Sequence, residues 1–332
     1  MAKTRVTIVG CGLVGTILGL ALHDAAKTNS NLRDLEIMGH DKDQAAMKRA
    51  EAAHAIDKGN WNLPAACENA ALVLIAIPQD GLETTLRAIG NDLPGGAIVV
   101  SIGGAIQSAL ALSQKFVPAD VAFVATSLIF HPDRVAASVT PEVATADMLG
   151  NAIWTLTPRP GTTPDQTDTM TSFVLNMNAV PLFMDAVERD GLSLSVDVVP
   201  SLLSSALMLA VSNDGAWRER QWLAGAEFAD ATKQAETAQR VLQQVMGQRE
   251  AAVHWLNQAM LQLMTLRDAI DDGDGEALQK QLTQAGQRRE QWLADWRKGR
   301  DDGRVQQYKA PSVLGAFVGQ NLAQRLQGDK KK

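Results

Sequence analysis

Apolar residues recur along the first half of the chain in short, nearly continuous runs separated by stretches of helical spacing. Residues 4–9 form an apolar run with β-branched members and predict a strand. Gly10, Gly12 and Gly15 follow in G-x-G-x-x-G spacing, and residues 16–26, rich in Ala and Leu with no breaker after Gly19, predict a helix. Further strands are predicted over 35–39, 70–77, 97–102, 121–125, 153–156 and 180–184, with helices over 43–53 and 164–177. Unbroken apolar runs suit strands buried on both faces. Their alternation with helices predicts an α/β, Rossmann-type doubly wound parallel sheet.

From about Ala186 the strand pattern stops. Val241, Val245, Val253, Leu256, Met260, Leu263 and Met264 fall at helical spacing, and Asp272-Gly273-Asp274-Gly275 divides two long helices. Long helices with apolar seams and no strands need a partner surface, so an all-α C-terminal dimerisation domain is expected, and with it a homodimer. Trp292 and Trp296, one turn apart, read as core or interface rather than a cofactor pocket. The expected division is a dinucleotide-binding domain over 1–187 and a helical substrate and dimerisation domain over 188–328, with a charged linker at 299–308 and a short terminal helix at 314–326.

Composition narrows the class. The 332 residues carry a formal charge of −6, and the one basic run, Lys330-Lys331-Lys332, reads as a solvated end, so no nucleic-acid partner is expected. No uninterrupted apolar run reaches about 18 residues, the length of a membrane span, and no membrane association is expected. Glycines and His23-Asp24 interrupt the early apolar stretch, unlike a signal peptide. Cys11 and Cys67 read as free thiols of a reducing, cytoplasmic compartment. No His/Cys/Asp cluster has ligand spacing, so no metal site is expected.

The glycine loop is the first candidate for chemistry. A strand, a tight Gly turn and a helix N-terminus let backbone approach a pyrophosphate, with Gly10, Gly12, Leu13, Val14 and Gly15 as the cofactor-binding residues. Asp41, 26 residues beyond Gly15, ends the second strand and can accept hydrogen bonds from ribose hydroxyls; it can equally cap the following helix. A carboxylate there disfavours a 2′-phosphate, since two like charges ~4 Å apart at an effective dielectric of ~20 repel by roughly 4 kcal/mol. NAD is therefore expected over NADP. Ile77 and Pro78 end a later strand where a dinucleotide would cross the sheet edge, and Gly103, at the end of the next, suits close approach of a ligand or a plain turn.

Beyond this loop, the chain resembles the prephenate and arogenate dehydrogenases over nearly its whole length. His131-Pro132 follows a strand as the family's His-Pro does. Met184-Asp185-Ala186-Val187-Glu188-Arg189-Asp190, with Pro200 and Ala206-Leu207 beyond, follows the family pattern in which Glu-His-Asp opens the helical domain. Phe228-Ala229-Asp230-Ala231-Thr232-Lys233 is similar to the family's Phe-Arg-Asp-x-Thr-Arg. The resemblance implies an NAD-dependent oxidative decarboxylation of prephenate to 4-hydroxyphenylpyruvate in tyrosine biosynthesis. It also implies that His131 is the catalytic histidine that hydrogen-bonds the hydroxyl being oxidised. A neutral imidazole with a pKa near ~6.5 is suited to accept that proton. Lys233 stands at the family's carboxylate-gripping arginine, keeping the charge and losing the bidentate fork. Arg134 and Arg189, beside the matched motifs, are candidate compensating cations for a small carboxylate substrate, or form surface salt bridges. The chain departs from the family at Arg189, which replaces the histidine of Glu-His-Asp. It departs again at Asp197-Val198-Val199-Pro200-Ser201, which lacks both histidines of Ser-His-Leu-Pro-His, and at Gly104 and Ile106, which replace Ser and Lys. A same-fold dehydrogenase of another small acid, or a nucleotide-binding relative without turnover, are the alternatives.

Overall fold

Eight strands build one sheet in the order β3-β2-β1-β4-β5-β6-β7-β8. They are β1 (Thr4–Val9), β2 (Leu35–His40), β3 (Lys58–Gly59), β4 (Ala70–Ile75), β5 (Ile98–Ile102), β6 (Ala122–Ile129), β7 (Ile153–Pro158) and β8 (Val180–Phe183). This computed structural model describes residues 3–29, 32, 34–135 and 140–298. The linker and terminal helix expected at 299–308 and 314–326 lie outside the described residues.

The helices of the sheet unit are α1 (Leu13–Thr28), α2 (Gln44–Ala52), α3 (Leu63–Cys67), α4 (Leu82–Ile89), α5 (Ile106–Phe116) and α6 (Pro164–Asn176). Ile8, Leu74, Val100, Val124 and Trp154 form the central core with Ile17, Leu18 and Leu22 of α1. Each such side chain, fully buried, contributes about 1.5–3 kcal/mol. α6 starts with a capping box in which the Thr163 hydroxyl and the Gln166 side chain each serve the other's backbone N–H.

The sheet corrects one expectation. It is not parallel throughout: β7 runs antiparallel to β6, pairing Ile129 with Ile153 and Val124 with Pro158. A parallel return needs a crossover helix. The described part of the β6–β7 connection holds short turns, among them Pro141–Val143 and Ala146–Leu149. β6 also extends four residues past the end of the expected 121–125 run, and Thr126 and Thr155 hydroxyls bond inside the sheet where the apolar pattern breaks. Thr126 Oγ1 donates to Ser101 O at 3.0 Å, and the Ser127 amide donates to Thr155 Oγ1 at 2.9 Å.

Arg159 fastens the end of α5 to the sheet. Its buried guanidinium donates to the carbonyls of Ser113, Val117, Pro118 and Val121 at 2.6–3.0 Å. A cation at a helix C-terminus also meets the negative end of the helix dipole.

The chain divides into two compact units. One is Met1–Asp185 with the stretch from Asp295; the other is Ala186–Ala294. In the second, α7 (Ala186–Ser193), a π-turn (Leu194–Val198) and α8 (Val199–Ser212) run on as one helix. The short α9 (Trp217–Arg220) and α10 (Ala226–Thr232) follow, then α11 (Ala238–Gly247), α12 (Arg249–Asp271) and α13 (Gly275–Lys298). Leu194, Val198 and Ala252 make a small core with Leu202, Val241 and Val245. By length and composition alone Ala186–Ser212 could cross a membrane, its most apolar 18-residue window having a mean hydropathy of 1.8. In this unit the π-turn packs on α11 and α12, and the helix carries Arg189, Asp190 and Asp197. Trp222, Leu223, Met246, Val253, Leu261 and Leu263 remain exposed.

Candidate active site

The order β2-β1-β4 places the topological switch point between β1 and β4, where adjacent parallel strands send their connections to opposite sides and leave a crevice. The glycine loop stands at that point. Gly10 has φ +99°, and a Cβ there would overlap the Ala76 carbonyl. Its amide donates to His40 O at 2.8 Å, while Ala76 N donates to Val9 O at 2.7 Å, so the loop is tied to β2 and β4. A Cβ on Gly15 would overlap the Gly10 carbonyl, which lets α1 start directly against the loop. Gly12 differs: nothing lies within 4 Å of a Cβ built there. The first turn of α1 closes when Thr16 N donates to Gly12 O at 2.9 Å. The amides of Leu13, Val14 and Gly15 therefore precede the helical ladder and are available to an anion.

Asp41 follows β2 directly. Its Oδ2 accepts the Cys11 amide at 2.7 Å and its Oδ1 accepts the Asp43 amide at 2.9 Å. The cap of α2 is Asp43, whose Oδ1 accepts Ala45 N at 2.8 Å, so the helix-cap alternative for Asp41 falls to its neighbour. The carboxylate of Asp41 instead joins the glycine loop to the end of β2. Burial, then the charges of Asp41 and Glu51, push the Cys11 thiol up to about 12, and burial pushes Cys67 up to about 12; both are free and stay neutral thiols.

Ile77 and Pro78 leave β4 beside the loop, with the Ile77 side chain against Gly10. Gly103 ends β5 with φ +93° and open space where a Cβ would be, and its amide donates to Thr126 O at 2.8 Å. The structure thus gathers Gly10 to Gly15, Asp41, Ile77, Pro78 and Gly103 at the C-terminal ends of four adjacent parallel strands. The cradle fits a dinucleotide: open space beside Gly12 and Gly103, ladder-free amides at a helix N-terminus, and an acceptor at the end of β2.

His131 lies two residues past β6, on the same side of the sheet. The residue is 7% exposed. Its Nδ1 accepts the Asp133 amide at 3.1 Å, so the neutral ring carries its proton on Nε2. The Trp296 ring stands edge-on to the imidazole at a centroid distance of 5.4 Å, and Arg297 Nε donates to Asp133 at 2.9 Å. Neither contact is visible to periodicity or motif, because the partners are 164 residues apart for Asp133 and Arg297.

The candidate substrate cations are placed differently. Arg134 donates to the Asp147 carbonyl, with the Asp147 carboxylate 3.9 Å away, in a cleft lined by Asp24, Gly150, Asn151 and Asn178 rather than by the glycine loop. In the second unit Arg189 is buried, its Nη1 donating to the buried Asp190 at 3.0 Å. That interior pair corrects the expectation of a surface salt bridge. Lys233 is half-buried where α10 passes into a 3₁₀ turn.

Residues 25–182 match the family described as prephenate dehydrogenase, nucleotide-binding domain. A search of curated proteins returns no match. Among solved structures, prephenate dehydrogenase from Aquifex aeolicus in complex with hydroxyphenyl propionate and NAD+ is 17% identical, with a TM-score of 0.70 over 88% of this chain and 99% of that one. Arogenate dehydrogenase from Synechocystis is 18% identical, with a TM-score of 0.65 over 87% and 100%. At these identities the likeness establishes the shared fold.

Proposed function

We propose that this chain, whose residues 25–182 match the nucleotide-binding domain of prephenate dehydrogenase, is an NAD-dependent dehydrogenase that oxidises and decarboxylates prephenate to 4-hydroxyphenylpyruvate. The observation that carries this reading is the open glycine cradle with Asp41 at its edge and His131 beyond the neighbouring strand end. When bound, NAD supplies a nicotinamide ring that accepts hydride. The hydride leaves the hydroxyl-bearing ring carbon, the ring carboxylate leaves as carbon dioxide and its bonding pair completes the aromatic ring. The hydroxyl oxygen stays as the phenol, so atoms and charge balance without any net proton transfer.

In this reading the amides of Leu13, Val14 and Gly15 hold the pyrophosphate, and Asp41 accepts from ribose hydroxyls. His131 accepts a hydrogen bond from the substrate hydroxyl as positive charge builds on the carbon losing hydride. Lys233 is the proposed carboxylate contact. Arg134 and Arg189 are each committed to another group in this structure and are weaker candidates. The exposed apolar residues of the second unit are assigned to a homodimer interface, and the protein to the cytoplasm.

His131→Asn is expected to lower turnover of prephenate by at least about 100-fold while NAD affinity, measured by calorimetry, stays unchanged. Wild-type turnover in the variant would remove His131 from the chemistry. Asp41→Asn is expected to weaken NAD binding and relax discrimination against NADP, since like-charge repulsion of the 2′-phosphate is gone. Equal NAD-to-NADP affinity ratios in the two proteins would refute the assignment of Asp41. A second reading, the dehydrogenation of a different small carboxylic acid, is favoured by one observation: where the family has the histidine of Glu-His-Asp, this chain buries the Arg189–Asp190 pair. Comparing reduced-cofactor formation with prephenate and arogenate decides between them; NAD binding with neither substrate turned over favours the second.

A further inference from the structure

Two independent observations converge on the His131 turn. The first is coverage: His131, whose ring must meet a substrate, is 7% exposed, and Trp296, whose ring packs edge-on to it, is 5% exposed. The second is the proton. Nδ1 is occupied by the Asp133 amide, so the neutral ring offers Nε2–H, a donor, where the reaction calls for an acceptor. The turn that sets this geometry is built locally, with Arg134 N and Val135 N donating to His131 O at 2.9 and 3.2 Å. It is held from a distant part of the chain by Trp296 and by Arg297 on Asp133.

We propose that the last turn of α13 is a closing strap over His131. Trp296 and the Arg297–Asp133 pair hold the imidazole shielded with its proton on Nε2, and substrate engages the ring only after that turn has moved. Trp296 is thus a positioning residue that acts through His131. The proposal rests on the reading of His131 as the group that meets the substrate hydroxyl. The strap is suited to opening. The Arg297–Asp133 pair is solvent-exposed and screened by salt, so releasing it costs little. The Asp133 amide, once freed from Nδ1, leaves that nitrogen able to carry the proton, and Nε2 becomes the acceptor. A ring competent only in a minor open state lowers apparent activity by the fraction that is closed.

The test uses the full chain as Trp296→Ala, Trp296→Phe and Arg297→Ala, the last a surface change that leaves the core intact. Two readouts are taken: the rate at which diethyl pyrocarbonate modifies His131, followed by peptide mapping, and kcat/KM with prephenate and NAD. The expected result is slow modification of His131 in the native protein and the Phe variant. Modification about 10-fold faster is expected in Trp296→Ala, with kcat/KM raised by about the same factor. Nitrogen shifts of the His131 ring move from a single Nε2–H form to a mixture of tautomers. Unchanged reactivity in both alanine variants overturns the strap, as does a fall in kcat/KM when His131 becomes more reactive. Modification and ring shifts need no turnover. If neither prephenate nor arogenate is consumed by any variant while His131 opens as expected, the substrate reading fails and the strap stands.

Discussion

Gly10→Ala is expected to abolish dinucleotide binding and to destabilise the first unit, and Gly12→Ala to abolish binding alone. At Gly10 the backbone holds φ +99°, and the added methyl would meet the Ala76 carbonyl. That carbonyl belongs to the chain leaving β4, which is fixed by the Ala76 N to Val9 O hydrogen bond, so neither partner can yield without breaking the β1–β4 register. The strained conformation alone costs about 1–2 kcal/mol, and the backbone overlap brings the total to about 3 kcal/mol or more. At Gly12 the backbone has φ −75° and ψ −163°, a conformation open to any residue, and the methyl would meet nothing within 4 Å. It would instead occupy the space through which a pyrophosphate reaches the amides of α1. Urea unfolding and NAD calorimetry separate the two effects. A Gly12→Ala protein that binds NAD normally would show that the ligand does not approach this loop.

Arg159→Met is expected to cost about 3 kcal/mol or more, because hydrogen bonds to a charged group each contribute about 1.5–3 kcal/mol and are not additive. The guanidinium is the shared donor for the carbonyls of Ser113, Val117, Pro118 and Val121. Methionine fills similar volume and leaves these buried acceptors without their donor. Arg159→Lys is not expected to rescue, since one ammonium on a flexible stem cannot span a set of acceptors that a planar fork reaches from two nitrogens. The effect is read as a shift in the urea midpoint. The binding cradle lies at the opposite end of the strands from the α5–β6 turn that holds Pro118 and Val121, so NAD affinity of the protein that remains folded is expected to be preserved. A midpoint within experimental error of wild type would mean that water replaces the guanidinium at no cost.

The parts of the site that were legible in sequence are those made by short-range order. Gly10, Gly12 and Gly15 are needed because backbone must approach backbone or ligand there, and spacing exposes such a need. Asp41 was visible as an acid at a strand end. Its partner was not: the Cys11 amide comes from a loop 30 residues away, and the helix cap nearby proved to be Asp43. Arg189 reads in sequence as a candidate substrate cation or a surface ion pair, yet its side chain turns inward with Asp190. Trp296 was legible only as an apolar position on a helix.

By itself the sequence determined the α/β alternation, the position of the dinucleotide loop and the change to an all-helical pattern after residue 186. These follow from steric limits and hydrophobic period, which act over a few residues. Only the tertiary structure decided the reversal of β7, the four carbonyls gathered on Arg159 and the enclosure of His131 by Trp296. Each depends on groups far apart along the chain meeting at one place. That meeting is set by how strands and helices pack against one another, a quantity no local pattern of apolar and polar residues encodes.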